Sequence, residues 1–196
     1  MTKLFSLSMV GLVALGFASC AFPESELDTA SNSSTSALDS VGSAYVASIE
    51  QGKMEVMALN LGELMGLSFG GNIQGSNGIA AWSGTIDNTA NLQMDYTITF
   101  TDYAADPGAI EITGDVGVAV SQTDTDCSAT WNINDLELID PLTIDQFFVS
   151  STGSGLTLSG TDCEIMTLSG RVDVSGDAAG NDCDVTGTTT SPNVDC

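Results

Sequence analysis

Between residues 92 and 101 the chain alternates without a fault. Leu92, Met94, Tyr96, Ile98 and Phe100 are apolar, and Gln93, Asp95, Thr97, Thr99 and Thr101 between them are polar. Successive side chains of a strand point to opposite faces, so this segment predicts a strand with one face on a core and one in water. Such one-sided strands belong to antiparallel sheets, since parallel ones bury both faces. The pattern returns downstream. Ile110, Ile112, Val116, Val118 and Val120 form one run, and Cys127, Ala129, Trp131 and Ile133 another. Leu142, Ile144 and Phe148 follow, then Leu156 with Leu158, Ile165 with Met166 and Leu168, and Val172 with Val174. Asp106-Pro107-Gly108 marks a turn between two of these runs: proline fixes φ and glycine permits positive φ.

A short motif of apolar residue, hydroxyl and glycine recurs at irregular spacing. It is found at Trp82-Ser83-Gly84, Ile112-Thr113-Gly114, Leu158-Ser159-Gly160, Leu168-Ser169-Gly170, Val174-Ser175-Gly176 and Val185-Thr186-Gly187. Glycine within strands marks bulges and bends, so the sheet is expected to curve. Upstream the period changes. Leu38, Val41, Tyr45 and Ile49 fall at helical spacing after a weak capping box, Ser36-Ala37-Leu38-Asp39. Met54, Met57, Leu61 and Leu64 continue the spacing, and a core-facing stripe is the reading given to them. A helix over 37–65, a loop over 68–78 with Gly70-Gly71-Asn72, and a β-rich region over 79–190 complete the outline. The fold class is α+β and mainly β: an N-terminal helix packed against a curved antiparallel meander sheet, or half-barrel, of about seven to nine strands.

Five cysteines occur: Cys20, Cys127, Cys163, Cys183 and Cys196. The last four lack C-x-x-C spacing and the chain has no histidine, so zinc is disfavoured and two disulfides are expected. Three pairings are possible. Nearest neighbours close the shortest loops, which favours Cys127–Cys163 and Cys183–Cys196.

The first residues explain why disulfides are permitted. Met1-Thr2-Lys3 supplies a positive start, and 14 mostly apolar residues, 4–17, follow. That is too short to span a bilayer permanently and fits a signal peptide over 1–19. Its end, Phe17-Ala18-Ser19-Cys20, resembles the lipobox of bacterial lipoproteins, with Phe17 where leucine is usual in that class. The resemblance implies acylation of Cys20, which becomes the first mature residue and the anchor to the membrane. Ala21, rather than aspartate, resembles the outer-membrane default, so outer-membrane localisation is implied. An ordinary secretory leader cut after Ala21 is the alternative. Residues 20–35, rich in serine, then read as a lipidated flexible tether reaching about 20 Å, and 36–196 as a single globular domain.

All 26 acidic residues follow the leader, against Lys53 and Arg171 alone. Such a polyanion is repelled by phosphate backbones, which excludes nucleic acid as a partner. The acidity suits either a soluble surface or a saline medium.

Little in the chain carries chemistry. Without histidine, a serine, cysteine or threonine nucleophile has no imidazole base. No glycine-rich phosphate loop with lysine occurs. Paired carboxylates would serve a carbohydrate-active enzyme, with Trp82, Trp131, Tyr96 and Tyr103 as the available sugar platforms. Calcium is the better ligand candidate, because hard cations want oxygen. Asp124, Asp126, Asp173, Asp177, Asp182 and Asp184 form the densest acidic turns, although turn-forming aspartate explains them more simply. No other cofactor is expected. The functional expectation is a non-enzymatic cell-envelope lipoprotein, structural or ligand-binding. The alternative is a carrier holding an apolar ligand between sheet and helix.

Overall fold

The alternating runs become ten strands in the computed structural model, which describes residues 24–59, 66–87, 91–177 and 180–196. One helix, α1 (Glu24–Leu59), precedes them. The strands are β1 (Leu67–Gln74), β2 (Asn77–Asp87), β3 (Leu92–Ala104), β4 (Glu111–Gln122), β5 (Cys127–Ile139), β6 (Gln146–Ser151), β7 (Leu156–Gly160), β8 (Thr167–Gly176), β9 (Gly180–Thr188) and β10 (Ser191–Asp195). All pair antiparallel, mostly with sequence neighbours. Strands β6 and β7 lie end to end between β5 and β8. The first pairs Leu136 to Ile139 of β5 and the second pairs Cys127 to Trp131. They are one lane of the meander interrupted by a turn at residues 152–155, so ten strands fill nine lanes.

A flat sheet of nine lanes would be about 40 Å wide, at 4.7–4.9 Å per strand. The helix, with side chains, is about 10–12 Å across. Yet α1 packs against β1 and β10, the two ends of the sheet, and against β2 to β5 and β9 between them. The sheet is therefore curled around the helix, with α1 lying across the gap between the end strands. One glycine of the recurring motif marks an irregularity in the pairing. Gly114 has φ 132° and sits where the β4–β5 register slips between Thr113 and Asp115. Such a bulge sharpens local twist.

The core is the concave face. Met94, Ile98, Trp131, Ile133, Leu138, Val149, Leu158 and Val174 point inward and are fully or almost fully buried. Leu38, Val41, Tyr45 and Ile49 of α1 meet them, also with 1% exposure or less. Both disulfides close on this face, Cys127–Cys163 with Cα atoms 5.3 Å apart and Cys183–Cys196 at 4.2 Å.

The helix begins earlier than its sequence suggests. Residues 24–35, expected as a flexible tether, are helical. Ser31, Asn32, Ser33, Ser34 and Thr35 are mediocre helix formers, but this stretch has a tertiary partner. The Val194 N–H of β10 donates to Thr35 Oγ1 at 3.0 Å, and the Cys196 N–H donates to Ser31 Oγ at 3.2 Å. Alternate residues of a strand point their N–H groups the same way, so position 192 shares that side, and there Pro192 has no donor. The free edge of β10 is thus closed: two donors are capped by hydroxyls one helical turn apart, and the third is missing. Ala30, Ser33, Ser34 and Ala37 are buried, small enough to let the helix approach. Gly42 shows how close the approach is, since a Cβ there would lie 1.8 Å from the Thr189 carbonyl oxygen. At the opposite edge the Gln51 side-chain amide donates to the Gly70 carbonyl of β1 at 2.7 Å.

Other expectations need correction. The 68–78 loop is largely strand. Gly70 and Gly71 lie within β1 and provide space rather than a turn, because a Cβ on Gly71 would lie 1.9 Å from Gln51 Oε1 and 2.8 Å from Trp82 Cζ2. Met54 and Met57 are not core-facing but 58% and 71% exposed, on the last described turns of the helix. Leu61 and Leu64 lie outside the described residues. Leu142 and Ile144 occupy the β5–β6 loop rather than a strand face, and Phe147 takes the buried position instead of Phe148. The β region extends beyond 79–190 at both ends, from Leu67 to Asp195.

Candidate functional site

The middle of α1 carries the polar atoms that enter the core. Tyr45 sits edge-on to Trp131, with ring centroids 5.4 Å apart, and its hydroxyl donates to Met166 Sδ at 3.2 Å. Ser48 Oγ lies 2.6 Å from the Tyr45 carbonyl and 2.7 Å from the Tyr96 hydroxyl, bonding both. Burial pushes the Tyr45 phenol well above its ordinary range, and the negative charge of Asp162 adds to the rise. Burial raises Tyr96 as well, against the opposing hydrogen bond from Ser48. These phenols stay neutral, so they donate and accept hydrogen bonds and supply no base. The indole Nε1 atoms of Trp82 and Trp131 are buried without a hydrogen-bond partner among the described residues.

A carrier needs an apolar cavity of several hundred Å³. The space under the sheet is occupied by α1. Among the described residues, two of the depressions lie elsewhere. One, of about 490 Å³, crosses the outer face of β3, β4, β5 and β7 and is lined by Gln93, Asp95, Ser121, Ser128, Thr130 and Thr157. The other, of about 370 Å³, lies between α1 and the β9–β10 turn, at Thr35, Asp39, Thr190 and Pro192. Both are open to solvent, and the first also takes in Ala119, Val120 and Ala129. The four candidate sugar platforms, Trp82, Trp131, Tyr96 and Tyr103, are all buried, so none offers a face to a carbohydrate ring.

The calcium candidates separate into two groups. Asp124 and Asp126 lie in the β4–β5 turn. There the Asp126 N–H donates to Thr123 Oγ1 at 3.1 Å, and the Thr125 hydroxyl donates to Asp126 Oδ2 at 2.7 Å. The others lie around β8 and β9. Arg171 pairs with Asp182 at 2.5 Å and with Asp184 at 2.9 Å. Asp173 Oδ1 accepts the Asp182 N–H at 3.1 Å, and Asp177 Oδ2 accepts the Gln146 N–H at 3.0 Å. Asp126, Asp173, Asp177, Asp182 and Asp184 each act as a local turn or strand partner. Among the described residues no three acidic or cysteine side chains converge as a metal site.

The cluster around Lys53 was not among the sequence expectations. Its ammonium lies 2.8 Å from Glu164 and 3.5 Å from Asp162, on either side of disulfide-bonded Cys163. The Glu164 N–H, and after it Lys53, hold Asp162 below the usual carboxylate range. Burial pulls Lys53 down, but its two acidic partners outweigh that and leave it raised. The rarity of lysine, found only at Lys3 and Lys53, was the available signal, and the partners of Lys53 lie more than 100 residues away.

The exposed apolar side chains remain. Leu142 and Ile144 are 83% and 80% exposed in the β5–β6 loop, and Ile165 is 64% exposed near the opposite end of the barrel. Ile144 also holds φ at 65°, unfavourable for a β-branched residue. Cys20, the expected acylation site, lies outside the described residues. No family model matches the chain, and no curated protein or solved structure matches it.

Proposed function

We propose that this chain is a non-enzymatic cell-envelope lipoprotein, anchored to the outer membrane through acylated Cys20, with its helix-filled barrel serving as a structural or binding module. The observation that carries the reading is cysteine pairing. Once Cys20 is assigned to lipid, the remaining four cysteines form two disulfides, Cys127–Cys163 and Cys183–Cys196. Disulfides persist in oxidising compartments outside the cytosol, which agrees with the lipobox-like leader. The acidic surface agrees with a secreted module that must stay soluble at its anchor. Occupation of the concave face by α1 weighs against a carrier, and burial of the aromatic rings weighs against a carbohydrate-active enzyme.

Mass spectrometry of the mature protein from a membrane fraction tests this directly. The expected product begins at Cys20 and carries acyl chains. A product beginning after Cys20, or an unmodified Cys20, overturns it.

A further inference from the structure

We propose that the end of the barrel bearing the β5–β6 loop rests on the membrane, with Leu142 and Ile144 entering a zwitterionic lipid surface. This rests on the lipoprotein reading and adds the geometry of the docked state.

The argument starts with the reach of the chain. Because α1 begins at Glu24, three residues separate it from Cys20. Four residue steps extend at most about 14 Å, so the start of the helix cannot stand far from the headgroups. The topology then selects which end of the barrel is near. Strand β10 runs away from the β9–β10 turn toward Cys196, and α1, traced backwards from Thr35 to Ser31, follows it. That direction leads to the end where β5 meets β6, since Ile139 pairs with Gln146 and Phe147 pairs with Gly176 there. The anchor and the β5–β6 loop therefore share one end of the barrel.

Exposure alone would not have chosen between the ends, because Met54, Met57 and Ile165 are exposed toward the other one. The loop differs in being held. The Leu142 N–H donates to Asp140 Oδ1 at 2.8 Å, the Ile144 N–H to the Asp140 carbonyl at 2.8 Å, and the Asp140 N–H to the Asp145 carbonyl at 3.0 Å. Two large aliphatic side chains are thus fixed outward, one of them on an unfavourable φ. Apolar side chains at an interface add to an acyl anchor by burying surface among the acyl chains. The aspartates around this end, Asp106, Asp140, Asp145 and Asp177, are repelled by anionic headgroups, so the lipid that fits is zwitterionic.

The test uses the full mature protein, with acylation at Cys20 verified by mass and the protein reconstituted into phosphatidylcholine vesicles with or without brominated acyl chains. Leu142→Trp adds a fluorophore at the loop tip and Ile165→Trp adds one at the far end; native Trp82 and Trp131 are buried and give a constant background. Brominated lipid should quench most of the emission added by Leu142→Trp and shift its maximum to shorter wavelength, while leaving that of Ile165→Trp unchanged. Replacing part of the phosphatidylcholine with phosphatidylglycerol at low salt should weaken the quenching. If Leu142→Trp fails to fold, Thr143→Trp reports from the same tip. Acylated protein in which the tip is unquenched, or in which both ends are quenched alike, overturns this inference alone. Absence of acyl chains overturns the lipoprotein reading and this inference with it.

Discussion

Helix α1 is held in two different ways. Its inward face packs Leu38, Val41, Tyr45 and Ile49 against the concave sheet, with buried serines among them, whereas its flanks meet the two sheet edges through polar side chains. Ser31 and Thr35 meet β10, and Gln51 meets β1. Apolar burial is strong but non-directional, so the inward face keeps the helix in the barrel without fixing its position along the axis. The flanking hydrogen bonds are individually weak but directional. They set the register of the helix against the strands and close edges that would otherwise invite further pairing. The two flanks also differ from each other. The β10 edge has two capped donors, a proline and a disulfide at its end, while the β1 edge is met by one glutamine.

The largest effect is expected at the centre. Tyr45→Ala empties a site between Trp131 and Met166 and should cost about 3–5 kcal/mol in chemical denaturation. The two phenols also set an alkaline limit. Both are raised above the ordinary value of 10.0, so the unfolded chain releases these protons first. The contribution of these phenols should stay level below about pH 10 and fall as pH rises above it, and Tyr45→Phe should flatten that fall. Next comes the β10 edge: C183A/C196A removes a bridge of sequence separation 13 and should cost about 3 kcal/mol, with loss of order at the C-terminus. Thr35→Val leaves the Val194 N–H without its acceptor and should cost about 1 kcal/mol. Gln51→Ala, on the more open β1 edge, should change stability by no more than about 0.5 kcal/mol. Equal losses for Thr35→Val and Gln51→Ala would erase the difference between the edges.

The inward face of the helix was legible because Leu38, Val41, Tyr45 and Ile49 are large, and their spacing is visible in sequence. The β10 flank was not. Its determinants are Ala30, Ser31, Ser33, Ser34 and Thr35, which read as a linker in composition and become helix only against a strand about 160 residues later. Gly70 and Gly71 misled in the same way: glycine signals a turn locally, but here it makes room for Gln51 and Trp82. The antiparallel meander was readable from the alternation at 92–101. The Leu142 and Ile144 loop was not, because two apolar residues at spacing two look the same in a strand and on a hydrogen-bonded turn. The disulfides followed from their number and the absence of histidine. The Lys53 cluster could not be read, because nothing local joins it to Asp162 and Glu164.

The central claim is that residues 24–35 form a docked helix sealing the β10 edge. Amide hydrogen exchange at Val194 and Cys196 tests it most directly. Protection is predicted at both amides in the native protein, with loss at both in Ser31→Ala/Thr35→Val while Val118 in β4 stays protected. Exchange of Val194 and Cys196 at the rate of open amides in the unmutated protein, or protection unchanged in the double variant, would contradict it.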